Sequence, residues 1–124
     1  MVLPLNYREW SQLHRNVHQI GLVFHHDGNV FVCSCGLIKA CRDACVDYSH
    51  ERHTFEQEIA EHQLVKQMIA NMEAGYEAST LLWLKAGWLK NQAKRNTRET
   101  SLAKWVACRE AEAAAANAVQ VFGA

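Results

Sequence analysis

Residues 48–63 read Y-S-H-E-R-H-T-F-E-Q-E-I-A-E-H-Q, and four side chains in this stretch are suited to gripping a polyanionic ligand. Arg52 offers a planar guanidinium that pairs two oxygens of a phosphate or pyrophosphate at once. Thr54 adds a hydroxyl donor, Phe55 a flat ring and Gln63 an amide. The competing description of the same residues is plainer: an arginine solvated at a helix end and a phenylalanine buried in the core.

Three other groupings carry chemical potential. Cys33, Cys35, Cys41 and Cys45, with His25 and His26 nearby, are of zinc-ligating types, but the spacing C-x-C-x5-C-x3-C is not that of paired C-x2-C knuckles. Cys41 and Cys45 also fall on an apolar helical face, so the four read as core thiols. His14 and His18, at i and i+4, and His50 and His53, at i and i+3, have no evident third ligand and read as solvated. The sequence therefore assigns no metal site. Lys85, Lys90, Lys94, Arg95 and Arg98 form a basic cluster, yet the interleaved Asn and Gln residues mark a solvated turn between helices. No phosphate-binding loop, nucleophile elbow or kinase motif is present.

The elements that must position these groups are helical. The 124 residues are 49% hydrophobic with six Gly and one Pro, a balance that favours long helices and a single all-α domain. Asn6 and Glu9 form a candidate capping box, and Trp10, Leu13, Val17 and Ile20 predict a short amphipathic helix ending near Gly21. Residues 22–35 suit either a hairpin or a connector running into the next helix. From 35 to 53, Leu37, Ile38, Cys41, Ala44, Cys45 and Tyr48 keep one face and Lys39, Arg42, Asp43 and Asp47 the other, predicting a helix.

After the T-F-E-Q-E-I interruption, Leu64, Val65, Met68, Ile69, Met72 and Tyr76 begin a longer pattern that runs through Leu81, Leu84 and Trp88 toward Asn91. Unbroken, it would span about 45 Å, with Gly75 a weak point costing about 1 kcal/mol against alanine. Thr97 is the expected N-cap of a last helix, with Glu99 in its first turn. Leu102, Trp105 and Val106 open its apolar stripe. The small residues 113–116, then Ala118 and Val119, suit close approach of another helix. Short connections between long amphipathic helices imply an antiparallel helical bundle.

Thirteen basic and thirteen acidic side chains cancel, so no net field steers the chain toward nucleic acid or an anionic membrane. No apolar run reaches the roughly 18 residues of a membrane span, and the N-terminus lacks the basic and apolar regions of a signal peptide. Five cysteines without such a signal point to reduced thiols and a cytoplasmic location.

The segments G-L-I-K-A-C-R-D-A-C-V-D-Y-S-H-E-R-H-T-F, E-H-Q-L-V-K-Q-M-I-A-N-M, N-T-R-E-T-S-L-A-K-W and N-A-V-Q-V-F-G-A follow one another in a recognisable order and spacing. Together they closely resemble the C-terminal helical domain of the acyl-CoA dehydrogenase family. The resemblance covers residues 29–124 and leaves 1–28 as a divergent N-terminal segment. It implies a homo-oligomer in which an E-R-x-x-F turn, and a Gln eleven residues after the Arg, reach the FAD of a neighbouring subunit. The matching positions are Arg52, Thr54, Phe55 and Gln63. The ending Q-V-F-G-A resembles the family's Q-x-x-G-G segment at Gln120 and Gly123, with Ala124 where a second Gly is usual; the alternative is that Gly123 simply caps a helix. In the whole family enzyme the implied reaction is α,β-dehydrogenation of an acyl-CoA thioester, with hydride passing to the flavin and electrons to an electron-transfer flavoprotein.

Three departures qualify that expectation. Glu56 stands where the family has Gly after the Phe. At about 8 Å and an effective dielectric near 20, its carboxylate would repel a phosphate charge by roughly 2 kcal/mol, about thirtyfold in affinity. Asp27 stands where the family usually carries an Arg that helps hold acyl-CoA. The family's catalytic Glu usually lies beyond the Q-x-x-G-G segment, and its minority position is occupied here by His26. With that Glu and two of the three family domains missing from the sequence, the expectation is a partial, truncated acyl-CoA dehydrogenase with no catalytic residue assigned and no turnover by the chain alone. The alternative from a different class is a non-enzymatic helical oligomerisation or interaction module, its exposed helix faces driving self-association or binding to another protein.

Overall fold

The computed structural model describes residues 28–123. Helix α1 (Gly28–Glu51) leads into a small antiparallel hairpin, β1 (His53–Thr54) and β2 (Gln57–Glu58), and one 3-10 turn (Ile59–Glu61). Helices α2 (Gln63–Asn91) and α3 (Thr97–Phe122) complete an all-α bundle. The expected helix of residues 6–21, together with His14, His18, His25, His26 and Asp27, lies outside the described residues.

Helix α1 begins seven residues before the expected start, so V-F-V-C belongs to the helix and not to a hairpin. Its buried face is Phe31, Cys35, Ile38, Cys45 and Ser49, whereas Leu37 and Ala44, expected on that face, are exposed. The early start also corrects the reading of Cys33 as a core thiol. Two residues before Cys35 is about 200° around the helix, and Cys33 is exposed while Cys35 and Cys45 are buried.

Helix α2 passes Gly75 without a break because that glycine marks a close helix crossing. A Cβ there would lie 2.9 Å from Glu110 Oε2 and 3.1 Å from its Cβ. The helix-propensity cost is thus offset by the approach of α3. Beyond Tyr76 the buried face runs through Ser79, Trp83, Ala86 and Gly87, leaving Leu81 and Trp88 exposed. The helix closes on a reverse turn in which Lys94 N–H donates to Leu89 C=O and Ala93 N–H to Lys90 C=O, with Ala93 at φ 55.

On α3 the expected stripe is displaced by about one residue. Ala103, Ala107, Ala111, Ala114 and Val121 are buried, while Trp105 is 61% exposed. Alanines on this face let the backbones approach, and Trp83 from α2 supplies the bulk. Asn96, not Thr97, is the N-cap; its side-chain amide donates to Ala86 C=O and cross-links the two helices.

Named contacts set the directions. Phe31 stacks on Trp83 at 5.1 Å, Arg42 pairs with Glu73, and Ser34 Oγ lies 3.7 Å from Cys108 Sγ. Tyr48 stacks on Phe122. Along α1, partners therefore descend in number on α2 and ascend on α3, so α1 is antiparallel to α2 and parallel to α3. Arg42, expected on the solvated face, instead bridges helices, also binding Asp43 and lying over the Tyr76 ring at 5.4 Å.

A hairpin that presents the candidate site

At Arg52 the chain leaves α1. Its N–H makes a last helical bond to Tyr48 C=O at 3.0 Å, and its C=O accepts from Ile59 N–H at 2.8 Å. These bonds fold residues 53–58 outward, while Ile59 and Ala60 return to the core. His53 pairs with Glu58 and Thr54 with Gln57, leaving Phe55 and Glu56 as the two-residue tip. Both have positive φ, 54° and 65°, which makes the tip a type I′ turn. The same geometry explains why glycine suits position 56: a side chain there is held in the left-handed region at a cost of about 1 kcal/mol or more.

The turn decides the fate of the ring. Phe55 is 91% exposed at the tip, which removes the plainer expectation that it is a core residue. Arg52 is also exposed, and its guanidinium makes no hydrogen bond or ion pair among the described residues. Gln63 is exposed at the first position of α2, separated from the 3-10 turn by His62 alone. Thr54 is half-buried, its Oγ1 2.9 Å from His62 Nε2. His50 Nδ1 lies 2.8 Å from Glu58 Oε2 and ties the hairpin to the end of α1. His53 contacts the Glu51 carbonyl at 3.2 Å, so the two histidines face different partners. Among the described residues no group of three His, Cys, Asp or Glu converges as a metal site would require.

Gln120 and Gly123 sit at the other end of the chain's last helix. Gln120 is exposed, and Gly123, at φ 79°, turns its N–H back to Val119 and Gln120 carbonyls at 3.1 and 3.2 Å. Gly123 therefore does cap the helix, one of the two roles left open for it. The Tyr48–Phe122 stack brings this terminus against α1 just before Arg52.

His62, Gln57 and the Tyr48–Phe122 pair are not readable from spacing. Thr54 and His62 are eight residues apart and meet only because the hairpin turns, and F-E carries none of the Asn-Gly or Asp-Gly signature of such a turn.

The class this defines is an all-α bundle domain with an outward-facing hairpin that carries an exposed aromatic ring at its tip and an exposed arginine at its base. Residues 25–124 match the family model for the acyl-CoA dehydrogenase C-terminal domain. The chain belongs to the acyl-CoA dehydrogenase family, a family of flavoprotein oxidoreductases. It is 38% identical over 88 residues to cyclohexane-1-carbonyl-CoA dehydrogenase of Geobacter metallireducens, covering 71% of this chain and 23% of that protein. It is 36% identical over 90 residues to a subunit of the caffeyl-CoA reductase–Etf complex of Acetobacterium woodii, covering 73% and 24%. The structure of butyryl-CoA dehydrogenase from Megasphaera elsdenii superposes with a TM-score of 0.74 at 31% identity, covering 78% of this chain and 26% of that one. The chain thus spans about a quarter of the length of these relatives. No helix among the described residues is long and apolar enough to cross a membrane.

The donor set fits the type of group that FAD presents. The Arg52 guanidinium, without a partner among the described residues, suits pyrophosphate oxygens, Phe55 offers an uncovered ring, and Gln63 is exposed. Glu56, on the same tip, opposes an anion, and Glu51, just before Arg52, and Glu58, the last residue of β2, add further carboxylates to the same segment.

Proposed function

We propose that the chain supplies the C-terminal helical domain of a FAD-dependent acyl-CoA dehydrogenase and that the hairpin is half of a flavin site completed by a second subunit. Arg52 and Thr54 would hold pyrophosphate oxygens, with Phe55 and Gln63 against the cofactor's flat polar body and Gln120 and Gly123 lining the backbone approach. When bound, FAD supplies the hydride acceptor for oxidising an acyl-CoA thioester, with an electron-transfer flavoprotein as the onward acceptor. The observation that carries this reading is Phe55: a phenylalanine 91% exposed on a strained turn, beside an unpaired arginine, is a costly arrangement for a monomer surface. No described residue is assigned as the catalytic base, and turnover of acyl-CoA by the chain alone is not expected. Turnover with an artificial electron acceptor, abolished by Arg52→Ala, would contradict that expectation. Titration with FAD, followed by flavin absorbance and by light scattering, tests the half-site. Bound flavin and increased mass should appear together; mass unchanged at every flavin concentration would contradict it.

A second reading, a helical oligomerisation module without enzymatic role, is favoured by the exposure of Leu81, Trp88 and Trp105 at 62%, 56% and 61%. Self-association that is complete without flavin and indifferent to its addition would support this reading instead.

A further inference from the structure

The His62 ring stands between two side chains of the hairpin. Its Nε2 lies 2.9 Å from Thr54 Oγ1, and its Nδ1 lies 3.4 Å from Gln57 Nε2. The Phe55 ring meets it edge-on, with centroids 6.2 Å apart and planes at 84°. With the Gln57 amide turned nitrogen-inward, as the structure has it, Gln57 donates to Nδ1, and in that arrangement the neutral imidazole carries its single proton on Nε2. That proton goes to Thr54 Oγ1, which is thereby used as an acceptor. The hydroxyl's own proton is then left for an acceptor outside the network. In the opposite tautomer Thr54 would spend its proton on Nε2 and have none to offer.

The geometry points to His62 as a positioning residue that turns the Thr54 hydroxyl into a donor for an anionic ligand oxygen beside Arg52. The identity of that oxygen, a FAD phosphate, rests on the half-site reading; the tautomer does not. Gln57 sets the tautomer, His62 transmits it and Thr54 presents the result, so the three form a directed hydrogen-bond chain along the hairpin. It also gives a reason for histidine at this position: phenylalanine would keep the ring contact with Phe55 but lose both nitrogens.

Long-range proton–nitrogen correlation spectra of the imidazoles at about pH 8, where histidines are neutral, test the chain directly. His62 is expected to be protonated on Nε2 with a bare Nδ1, and Gln57→Leu is expected to shift population toward the Nδ1–H form. Protonation of wild-type His62 on Nδ1 overturns the inference whether or not flavin binds. In FAD titrations, Thr54→Val and His62→Phe should each weaken binding about tenfold, while Thr54→Ser, which keeps the hydroxyl, should stay within about threefold of wild type. Thr54→Val binding as tightly as wild type overturns the donor role. A wild-type protein with the Nε2–H tautomer that takes up no FAD would support the positioning by His62 and overturn the half-site reading.

Discussion

Phe122 stacks on Tyr48 with ring centroids 4.4 Å apart and planes inclined by 26°, which fastens the last turn of α3 to the last turn of α1, four residues before Arg52. An offset aromatic pair contributes about 0.5–1.5 kcal/mol beyond its area burial. Because Phe122 is 43% exposed, Phe122→Ala should cost about 1–2 kcal/mol, less than loss of a fully buried ring. Urea denaturation followed by tryptophan fluorescence measures it, and an unchanged midpoint would show that the terminus is not held by this pair.

Glu56 combines two costs in one side chain: a left-handed backbone conformation and a carboxylate at the tip of the hairpin proposed to hold an anion. Glu56→Gly removes both. After allowing for the greater unfolded-state entropy of glycine, the expected net gain is about 1 kcal/mol in stability, with tighter FAD binding in the same variant. Thermal denaturation of the pair of proteins checks the first part. A loss of stability would mean that the type I′ turn is held by Glu56 and not in spite of it.

Burial alone would raise the Asp43 carboxyl, but hydrogen bonds and charge from Lys39 and Arg42 outweigh it and hold the group below the usual carboxylate range. A folded-state value below the unfolded one means that the contribution is present above roughly pH 4 and is lost as pH falls through the folded value. With its side chain 45% exposed, the contribution is under about 1 kcal/mol. Glu77 behaves oppositely: burial and the Glu73 charge raise it, and Arg42 only partly offsets them. Its penalty is present at neutral pH and is relieved as pH falls through the raised value. Asp43→Asn should therefore lower stability at pH 7 and flatten its fall in acid, while Glu77→Gln should raise stability at pH 7. Denaturation midpoints from pH 3 to 8, about one unit apart, would reveal either sign reversed.

The thiols divide by burial. Desolvation pushes Cys35 up to about 12, and its bond with Thr80 offsets only part of that. Burial and the neighbouring Cys41 raise Cys45 as well. A thiol reagent at about neutral pH should label the exposed Cys33 and Cys108 quickly and spare Cys35 and Cys45 until the chain unfolds. Mass spectrometry of labelled peptides reads this directly, and rapid native labelling of Cys45 would contradict the bundle's packing.

Helix α2 is readable from sequence because Val65, Met68, Ile69, Met72 and Tyr76 repeat with the helical period and lie on its packed face. The face of α3 is not, because the residues that pack are alanines, which hydrophobic periodicity ranks below Trp105 even though the tryptophan stays in solvent. Gly75 reads as a defect in sequence and becomes a crossing point only beside Glu110. The hairpin escapes notice for a similar reason, since its turn is built on Phe55 and Glu56 rather than on glycine or asparagine. Arg52, Thr54, Phe55 and Gln63 are visible as a set because they match a family motif, whereas the His62 contacts that orient Thr54 depend on a register that only the fold supplies.

The claim that the hairpin is half of a flavin site is tested most directly by the FAD dissociation constant of Arg52→Ala against wild type, measured by flavin fluorescence. The Arg52 side chain has no hydrogen-bond or ion-pair partner among the described residues, and alanine keeps the backbone bonds to Tyr48 and Ile59, so the variant should fold unchanged. Loss of its charged hydrogen bonds should weaken FAD binding about thirtyfold; equal affinity for the two proteins would contradict the account.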